Sequence, residues 1–179
     1  MNKERSKAFK IKNPASIEKI KSIGKSTFAM DIKYQKLNSK DLNYLIALIE
    51  LYGDVFEMSN LIIPNAIYLQ KLLTDERIIF VVAISENLVV GGLTAHILPS
   101  TYFPSGEVYI YDLAVKTEYQ RKGIGRQLIA SLKDYCTQLG ITEIFVQADL
   151  ADQHALDFYM ATGGTAESVV HFSYPLKNN

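Results

Sequence analysis

Several features that mark particular protein classes are scarce or missing in this sequence. Its one cysteine, Cys136, has no internal partner for a disulfide, and its place on the apolar side of a predicted helix favours a structural thiol over a nucleophile. No apolar run is long enough to cross a bilayer, and the N-terminus lacks the apolar centre of a signal peptide. No cluster of metal-ligating residues is visible. We therefore expect a cytoplasmic protein with no membrane partner and no metal.

The composition suits one enzyme domain, but its charges are unevenly distributed. The chain has 179 residues, of which 48% are hydrophobic and 11% aromatic. It is long enough to form one hydrophobic core and short for two domains. Residues 1–26 carry eight Lys or Arg and two acidic residues, whereas residues 27–179 carry 11 basic and 17 acidic side chains. We predict a basic leader over residues 1–28 and a catalytic domain over residues 29–179. The leader could be an appended helix, a flexible arm or a nucleic-acid contact; flexibility is favoured, and we expect no nucleic-acid partner.

Periodicity and capping signals predict an alternating order of elements, βααβββαβαβ. Ser39 is predicted to cap the first helix and Pro64 to begin the second, which ends near residue 73; the later helices cover residues 124–140 and 152–162. The predicted strands cover residues 30–37, 78–84, 88–98, 107–116, 142–148 and 166–174, with a hairpin turn at 85–87. This order indicates an α/β fold with a mixed central β-sheet and helices on both faces.

The stretch from residue 107 to residue 140 joins a strand to a helix through a charged loop. Gly123 and Gly125 lie where the helix starts, and a glycine there lets the backbone approach a ligand. Unpaired N–H groups and the positive end of the helix dipole favour an anion, and Arg121, Lys122 and Arg126 add positive charge. A tight turn with solvated basic residues is the alternative. The sequence lacks the Gly-Lys-Ser/Thr with which a P-loop ends. It also lacks the third glycine and the downstream ribose-binding acid of a dinucleotide-binding motif.

The spacing Gln120-x-x-Gly123-x-Gly125, with Leu113-Ala-Val seven residues before the glutamine, resembles the pyrophosphate-binding motif of the Gcn5-related N-acetyltransferases, or GNAT family. The resemblance implies the GNAT fold and acetyl-CoA as co-substrate. It also implies that the cofactor is bound by Leu113, Ala114, Val115, Gln120, Arg121, Lys122, Gly123, Ile124, Gly125, Arg126, Asp152 and Phe158.

A second group of candidate residues lies between residues 147 and 159. Asp152 can cap a helix on which Ala155, Phe158 and Tyr159 fall at spacings of three and four residues. Tyr159 resembles the family tyrosine whose hydroxyl protonates the departing thiolate of CoA. The alternative is a packed aromatic residue. If Tyr159 acts as a general acid, it contributes roughly a hundredfold or more in rate.

The family resemblance also implies how the reaction proceeds. The strand bearing Leu113 and the strand ending at Gln147 splay apart around the pantetheine arm, and a backbone N–H near Leu113 polarises the acetyl carbonyl while an amine attacks directly. The candidate bases are Asp112, Glu107 and Asp149, of which we predict Asp112 as catalytic. Many family members carry a glutamate four residues before the Leu of Leu-Ala-Val, but that position here is Tyr109.

A narrower resemblance concerns the acceptor. Tyr109-Ile-Tyr-Asp-Leu-Ala-Val and Val146-Gln-Ala-Asp look like the gentamicin-type aminoglycoside 3-N-acetyltransferases, and the similarity spans residues 42 to 173. It implies a polycationic amine acetylated at its 3-amino group. Clustered carboxylates would steer such a substrate, and the candidates are Glu107, Asp112, Asp149 and Asp152. Two alternatives remain, a GNAT enzyme for polyamines, peptides or lysines and a non-catalytic acetyl-CoA sensor. A homodimer is suggested at the family level.

Overall fold

A five-stranded sheet forms the centre of the computed structural model, which describes residues 31–176; the predicted basic leader lies outside these residues. The sheet contains β1 (Lys33–Lys36), β2 (Ile78–Ser85), β3 (Leu88–Leu98), β4 (Glu107–Val115) and β5 (Ile144–Val146) in that order. Neighbouring strands are antiparallel from β1 to β4, whereas β4 and β5 are parallel. The predicted mixed sheet is therefore confirmed.

Within residues 31–176, four α-helices cover the two faces of this sheet: α1 (Leu42–Val55), α2 (Ala66–Thr74), α3 (Ile124–Gln138) and α4 (Gln153–Ala161). Successive β2 side chains point to opposite faces. Ile79 and Val81 pack in the core that contains α3, whereas Phe80 and Val82 pack with α1 and α2. Cys136 is buried in the first of these cores, as predicted. Within residues 31–176, no helix is long and apolar enough to cross a membrane.

The ends of several elements follow from local hydrogen bonds. The hairpin turn between β2 and β3 is confirmed, with Glu86 and Asn87 at φ angles of 49° and 66°, as a type I′ turn requires. The prediction of Ser39 as a cap is wrong, because α1 begins after Asp41, whose carboxylate accepts the N–H of Asn38. The helix predicted to begin at Pro64 begins instead at Ala66, because the Asn65 side chain caps it by accepting the Tyr68 N–H at 3.0 Å.

The predicted last strand, residues 166–174, is wrong for the single chain. Residues 163–176 have no regular secondary structure, and residues 165–176 are all exposed. The sequence pattern is that of a strand, but a strand needs a hydrogen-bonding neighbour. Within the described chain the sheet ends at β5, and nothing pairs with that strand's outer edge.

A β-bulge in β4 changes the faces to which its side chains point. Thr94 of β3 pairs with Asp112, but the next residue, Ala95, pairs with Ile110, so Tyr111 is the extra residue. Ile110 packs on the α3 side of the sheet, and without the bulge Asp112 and Ala114 would share that side. Ala114 instead packs in the core formed with α1 and α2. The bulge therefore directs Asp112 toward α1.

Candidate active site

A cleft of about 630 Å³ separates the second half of β4 and the start of α3 from α4. It exists because β4 and β5 pair only from Val108 to Ile110, and residues 111–115 continue without a β5 partner. The two strands therefore diverge, as the family resemblance implies. The predicted cofactor-binding residues that line the cleft are Leu113, Ala114, Val115, Gln120, Arg121, Gly123, Ile124, Gly125, Arg126, Asp152 and Phe158.

The start of α3 presents unpaired backbone donors along this cleft. Gly123 is the N-cap, with a left-handed φ of 82°, and a Cβ atom there would meet nothing within 4 Å. The first hydrogen bond of the helix runs from the Gln127 N–H to the Gly123 carbonyl oxygen, 3.1 Å. In the part of the chain that is described, the N–H groups of residues 124–126 have no acceptor. Such donors, together with the helix dipole, favour the approach of an anion.

Lys122 differs from the other predicted cofactor residues, because it does not line the cleft. Its Nζ atom donates to the Glu118 carbonyl oxygen at 2.7 Å and lies 5.2 Å from the centre of the Tyr119 ring. Gln120 lines the cleft, but its side-chain Nε2 donates to the Val115 carbonyl oxygen at 3.0 Å. The structure therefore leaves Arg121 and Arg126 as the basic residues along this part of the cleft.

Tyr159 lies on the α4 side of the cleft, beside Phe158, with the two ring centres 5.1 Å apart. Burial raises the pKa of Tyr159 to about 12, and the charges of Asp152, Tyr109 and Asp112 contribute in the same direction. The hydroxyl therefore keeps its proton at neutral pH and can donate it. Asp152 holds the start of α4 by accepting the Ala155 N–H at 3.0 Å.

Asp112 is half-buried on the α1 side of the sheet. Burial raises the pKa of its carboxyl group above the usual value, and His96 opposes this increase. Beside it, the Tyr52 hydroxyl lies 3.0 Å from the Thr94 hydroxyl in a buried hydrogen bond. A carboxylate whose pKa is raised toward neutrality accepts a proton more readily than an ordinary surface aspartate. This arrangement suits a general base.

The other predicted acidic residues are more dispersed. Glu107 is exposed at the first residue of β4, which places it about 16 Å along the strand from Asp112. Asp149 is exposed in the loop after β5, where its carboxylate accepts the Ala151 N–H at 2.9 Å. The structure thus brings Asp112 and Asp152 into the electrostatic environment of Tyr159, but it does not bring Glu107 there.

The surroundings of Asp112 could not be predicted from the spacing of residues in the sequence. Tyr52 and Thr94 are 42 residues apart in the chain, and the hydrogen bond between them depends on α1 packing against β3. One signal was available, since Thr94 lies between apolar residues in the middle of a largely apolar strand, and a buried hydroxyl needs a partner. The missed residues lining the cleft are Val55, Tyr119, His154, Ala155, Asp157, Ala161 and Thr162.

Comparisons with known proteins agree with this geometry. The model of the acetyltransferase (GNAT) family matches residues 45–163. The chain is 47% identical to an aminoglycoside acetyltransferase, meta-AAC0020, from an uncultured soil metagenomic sample, in complex with trehalose; the match covers 82% of this chain and 97% of that chain, with a TM-score of 0.79. A second structure of that protein, in complex with sisomicin, is 46% identical with the same coverage and TM-score.

Two further relatives are more distant. The aminoglycoside acetyltransferase HMB0005, also from an uncultured soil metagenomic sample, is 32% identical over 83% of this chain and 100% of that chain, with a TM-score of 0.77. The uncharacterized N-acetyltransferase YycN of Bacillus subtilis (strain 168) is 30% identical over 87 residues, which are 49% of this chain. That match spans about half the length of the curated relative, 54%.

Proposed function

This chain belongs to the acetyltransferase (GNAT) family, and from that premise we propose that it transfers the acetyl group of acetyl-CoA to the 3-amino group of an aminoglycoside. The observation that carries the proposal is the cleft, which is lined both by the start of α3, with its unpaired amides, and by the protonated Tyr159 of α4. Anion binding and proton donation are the two functions that a CoA thioester needs at its opposite ends.

The residues around the cleft fit acetyl-CoA. The pyrophosphate would lie against the N–H groups of residues 124–126, with Arg121 and Arg126 beside it. The open side of Gly123 lets that anion approach the backbone. The pantetheine arm would follow residues 113–115, whose edge has no β5 partner. The thioester would then lie near Tyr159.

In the proposed reaction the amine attacks the thioester directly. An ammonium acceptor gives one proton to Asp112, directly or through water, and the neutral nitrogen bonds to the acetyl carbon while the carbon–sulfur bond breaks. A backbone N–H near Leu113 stabilises the charge that develops on the carbonyl oxygen. Tyr159 protonates the departing sulfur and takes back the proton that the new amide nitrogen loses. The proton on Asp112 passes to solvent.

Two observations support an aminoglycoside as the acceptor. The relative with sisomicin bound is 46% identical to this chain and is covered over 97% of its length. Residues 27–179 carry 17 acidic and 11 basic side chains, so their net charge is negative. Aminoglycosides carry several ammonium groups, which a negatively charged domain attracts. We assign the acceptor contacts to Asp112 and Asp152, whose charges act on Tyr159, and to Asp149 in the loop after β5, and we keep Glu107 as a more distant candidate.

A thiol-release assay tests the proposal. The full chain is mixed with acetyl-CoA and with gentamicin, sisomicin, spermidine, a lysine peptide or no acceptor, and free CoA is measured. We expect release above background with the aminoglycosides, and NMR of the product should show acetylation at the 3-amino group. Preference for spermidine or the peptide would overturn the acceptor assignment, and acetylation at another amine would overturn the position. Binding of acetyl-CoA without release in any mixture would identify a sensor.

A further inference from the structure

Three neighbouring strands carry a row of ring side chains on one face of the sheet. His96 of β3 pairs directly with Tyr109 of β4, and Tyr109 pairs with Phe145 of β5. The ring centres of Tyr109 and Phe145 are 5.2 Å apart. Tyr111, the extra residue of the bulge, has its ring centre 5.9 Å from that of Tyr109 and 5.6 Å from that of His96. These four side chains are called the aromatic row below.

The aromatic row lies on the α1 side of the sheet, outside the core that α1 and α2 form there. Val108 and Ile110, on either side of Tyr109 in the chain, pack in the core that contains α3, so the Tyr109 side chain points to the opposite face. In the described part of the chain, the rings of Tyr109, Tyr111 and Phe145 pack in neither core. Tyr111 is 64% exposed, so the row presents a ring to solvent.

Carboxylates lie at both ends of this part of β4. Asp112 follows Tyr111 in the chain, and the bulge directs it to the same side of the sheet. Glu107 precedes Tyr109 by two residues and therefore shares its face. Asp112 and Tyr109 both act electrostatically on Tyr159, so the aromatic row begins beside the proposed proton donor. A surface with rings in the middle and negative charge at both ends is complementary to a cation that has apolar faces.

We propose that the aromatic row stacks against a sugar ring of the acceptor, between the carboxylates of Asp112 and Glu107, and that this contact makes the enzyme prefer amino sugars over linear polyamines. This role, which rests on the proposed aminoglycoside acceptor, follows from the chemistry of both surfaces. A sugar ring has C–H bonds on its faces that pack against an aromatic ring, and its ammonium groups are attracted to the negative face of that ring. A linear polyamine has the charges but no ring to stack, so it gains less from Tyr111.

Tyr111 contributes most to this contact. It is the exposed member of the row, whereas His96, Tyr109 and Phe145 are already partly buried, so it has the most apolar surface left to cover. The planes of the His96 and Tyr109 rings make angles of 73° and 81° with the Tyr111 ring, an edge-to-face arrangement that favours one ring orientation. A side chain that is already ordered loses less entropy when the acceptor binds.

Rates with sisomicin and with spermidine, measured by CoA release at saturating acetyl-CoA, test the role of Tyr111. We expect Tyr111→Leu to raise KM for sisomicin by about tenfold with little change in kcat, because the ring binds the acceptor and takes no part in the chemistry. The kinetics with spermidine should change little. Tyr111→Phe keeps the ring and should behave as the wild-type protein does. Tyr102→Leu is the matched control, since Tyr102 is 87% exposed on the loop before β4 and is not part of the row.

Proton NMR of sisomicin mixed with the full chain and CoA detects the same contact without turnover. Protons that lie over the face of an aromatic ring shift upfield because of the ring current. We expect upfield shifts of sugar C–H protons with the wild-type protein and with Tyr111→Phe, and a loss of these shifts with Tyr111→Leu.

The two measurements separate the aromatic row from the proposed function. Upfield shifts without CoA release would support stacking on the row and overturn acetyl transfer to this acceptor. CoA release with an unchanged KM in Tyr111→Leu would overturn the row and leave the acetyl transfer standing. Equal losses with sisomicin and spermidine, or a loss in Tyr111→Phe, would show that the enzyme does not recognise the acceptor by stacking on this ring. Neither shifts nor release would overturn both.

Discussion

Phe158 of α4 lies directly against Gly125 in the first turn of α3: a Cβ atom at residue 125 would come within 3.0 Å of Phe158 Cε2 and 3.1 Å of Cζ. The two walls of the cleft thus meet where one of them has no side chain. The lack of a side chain at residue 125 therefore lets Phe158 approach the first turn of α3, and the second glycine of Gln120-x-x-Gly123-x-Gly125 has a packing role as well as a backbone one.

We expect Gly125→Ala to weaken acetyl-CoA binding by about tenfold, or about 1.4 kcal/mol. Alanine is favoured in a helix, so α3 should form normally, but the added methyl group pushes Phe158 out of position. Calorimetric titration with CoA measures the effect. The double variant Gly125→Ala/Phe158→Leu is the control, since the smaller side chain makes room for the methyl group. If its affinity does not recover, the contact with Phe158 is not the cause.

Substitutions of Gly123 should act through the backbone angle of that residue rather than through steric crowding. Its φ of 82° is left-handed, and nothing lies within 4 Å of a Cβ atom there. Gly123→Val should therefore lower acetyl-CoA affinity by distorting the start of α3, before it affects acceptor affinity. Gly123→Asn is the matched variant, because asparagine tolerates the left-handed region far better than valine. Equal affinities of the valine variant and the wild-type protein, both folded, would remove the argument for an anion site.

Tyr159→Phe should lower turnover by roughly a hundredfold while leaving acetyl-CoA affinity nearly unchanged. The ring and its contact with Phe158 remain, and only the proton donor is lost. Because the pKa of Tyr159 is about 12, we expect no loss of wild-type activity between pH 7 and 9 from its ionisation. Steady-state and single-turnover rates distinguish chemistry from product release. Near-normal turnover, with chemistry rate-limiting, would reduce Tyr159 to a packing residue.

The acidic limb of the pH–rate profile should reflect protonation of the Asp112 carboxylate. Burial raises the pKa of this carboxyl group, so kcat/KM should fall as pH decreases through a value above the ordinary range of aspartate. A protonated His96 favours the carboxylate and lowers that pKa, so His96→Gln should move the acidic limb to higher pH. Tyr52 and Tyr159 face Asp112 as well, but both keep their protons in this range because burial raises their pKa values.

The stability of an Asp112→Asn variant is the control for this prediction. The folded-state pKa of Asp112 is raised, so its protonated form favours folding below the unfolded-state pKa, and this contribution is lost as pH rises through the folded-state value. Asp112→Asn should therefore lose activity without losing thermal stability at neutral pH. A lower Tm at pH 7 than the wild-type value would indicate a structural role. An unmoved acidic limb in His96→Gln would assign that limb to another group.

The sequence predicts those parts of the site that depend on local geometry. The glycines at the start of α3 and the spacing of Phe158 and Tyr159 on α4 are properties of single segments, and the structure places them around one cleft. The face to which Asp112 points could not be predicted, because the bulge at Tyr111 is set by pairing with β3. The prediction of a strand at 166–174 was wrong for a related reason, since a sequence pattern typical of a strand does not show whether a neighbouring strand is there to pair with it.

Three carboxylates, those of Asp112, Asp149 and Asp152, are proposed to hold the acceptor. Asp152→Asn should lower kcat/KM for an aminoglycoside much more than it lowers acetyl-CoA affinity. Asparagine caps a helix about as well as aspartate, so the start of α4 is kept and only the charge is removed. Asp149→Asn preserves its turn in the same way. Glu107→Gln is the comparison variant, and we expect a smaller loss because Glu107 lies about 16 Å along β4 from Asp112.

Salt should reproduce part of this loss in the wild-type protein. Screening limits electrostatic attraction to about 8 Å at physiological ionic strength, so added salt should lower kcat/KM for the polycation. The same salt should have less effect on the Asp149→Asn/Asp152→Asn double variant, because less attraction remains to be screened. Initial rates at subsaturating acceptor and saturating acetyl-CoA measure both effects. If the double variant and the wild-type protein respond equally to salt, the carboxylates that attract the acceptor lie elsewhere in residues 27–179. Glu107 is then the first residue to test.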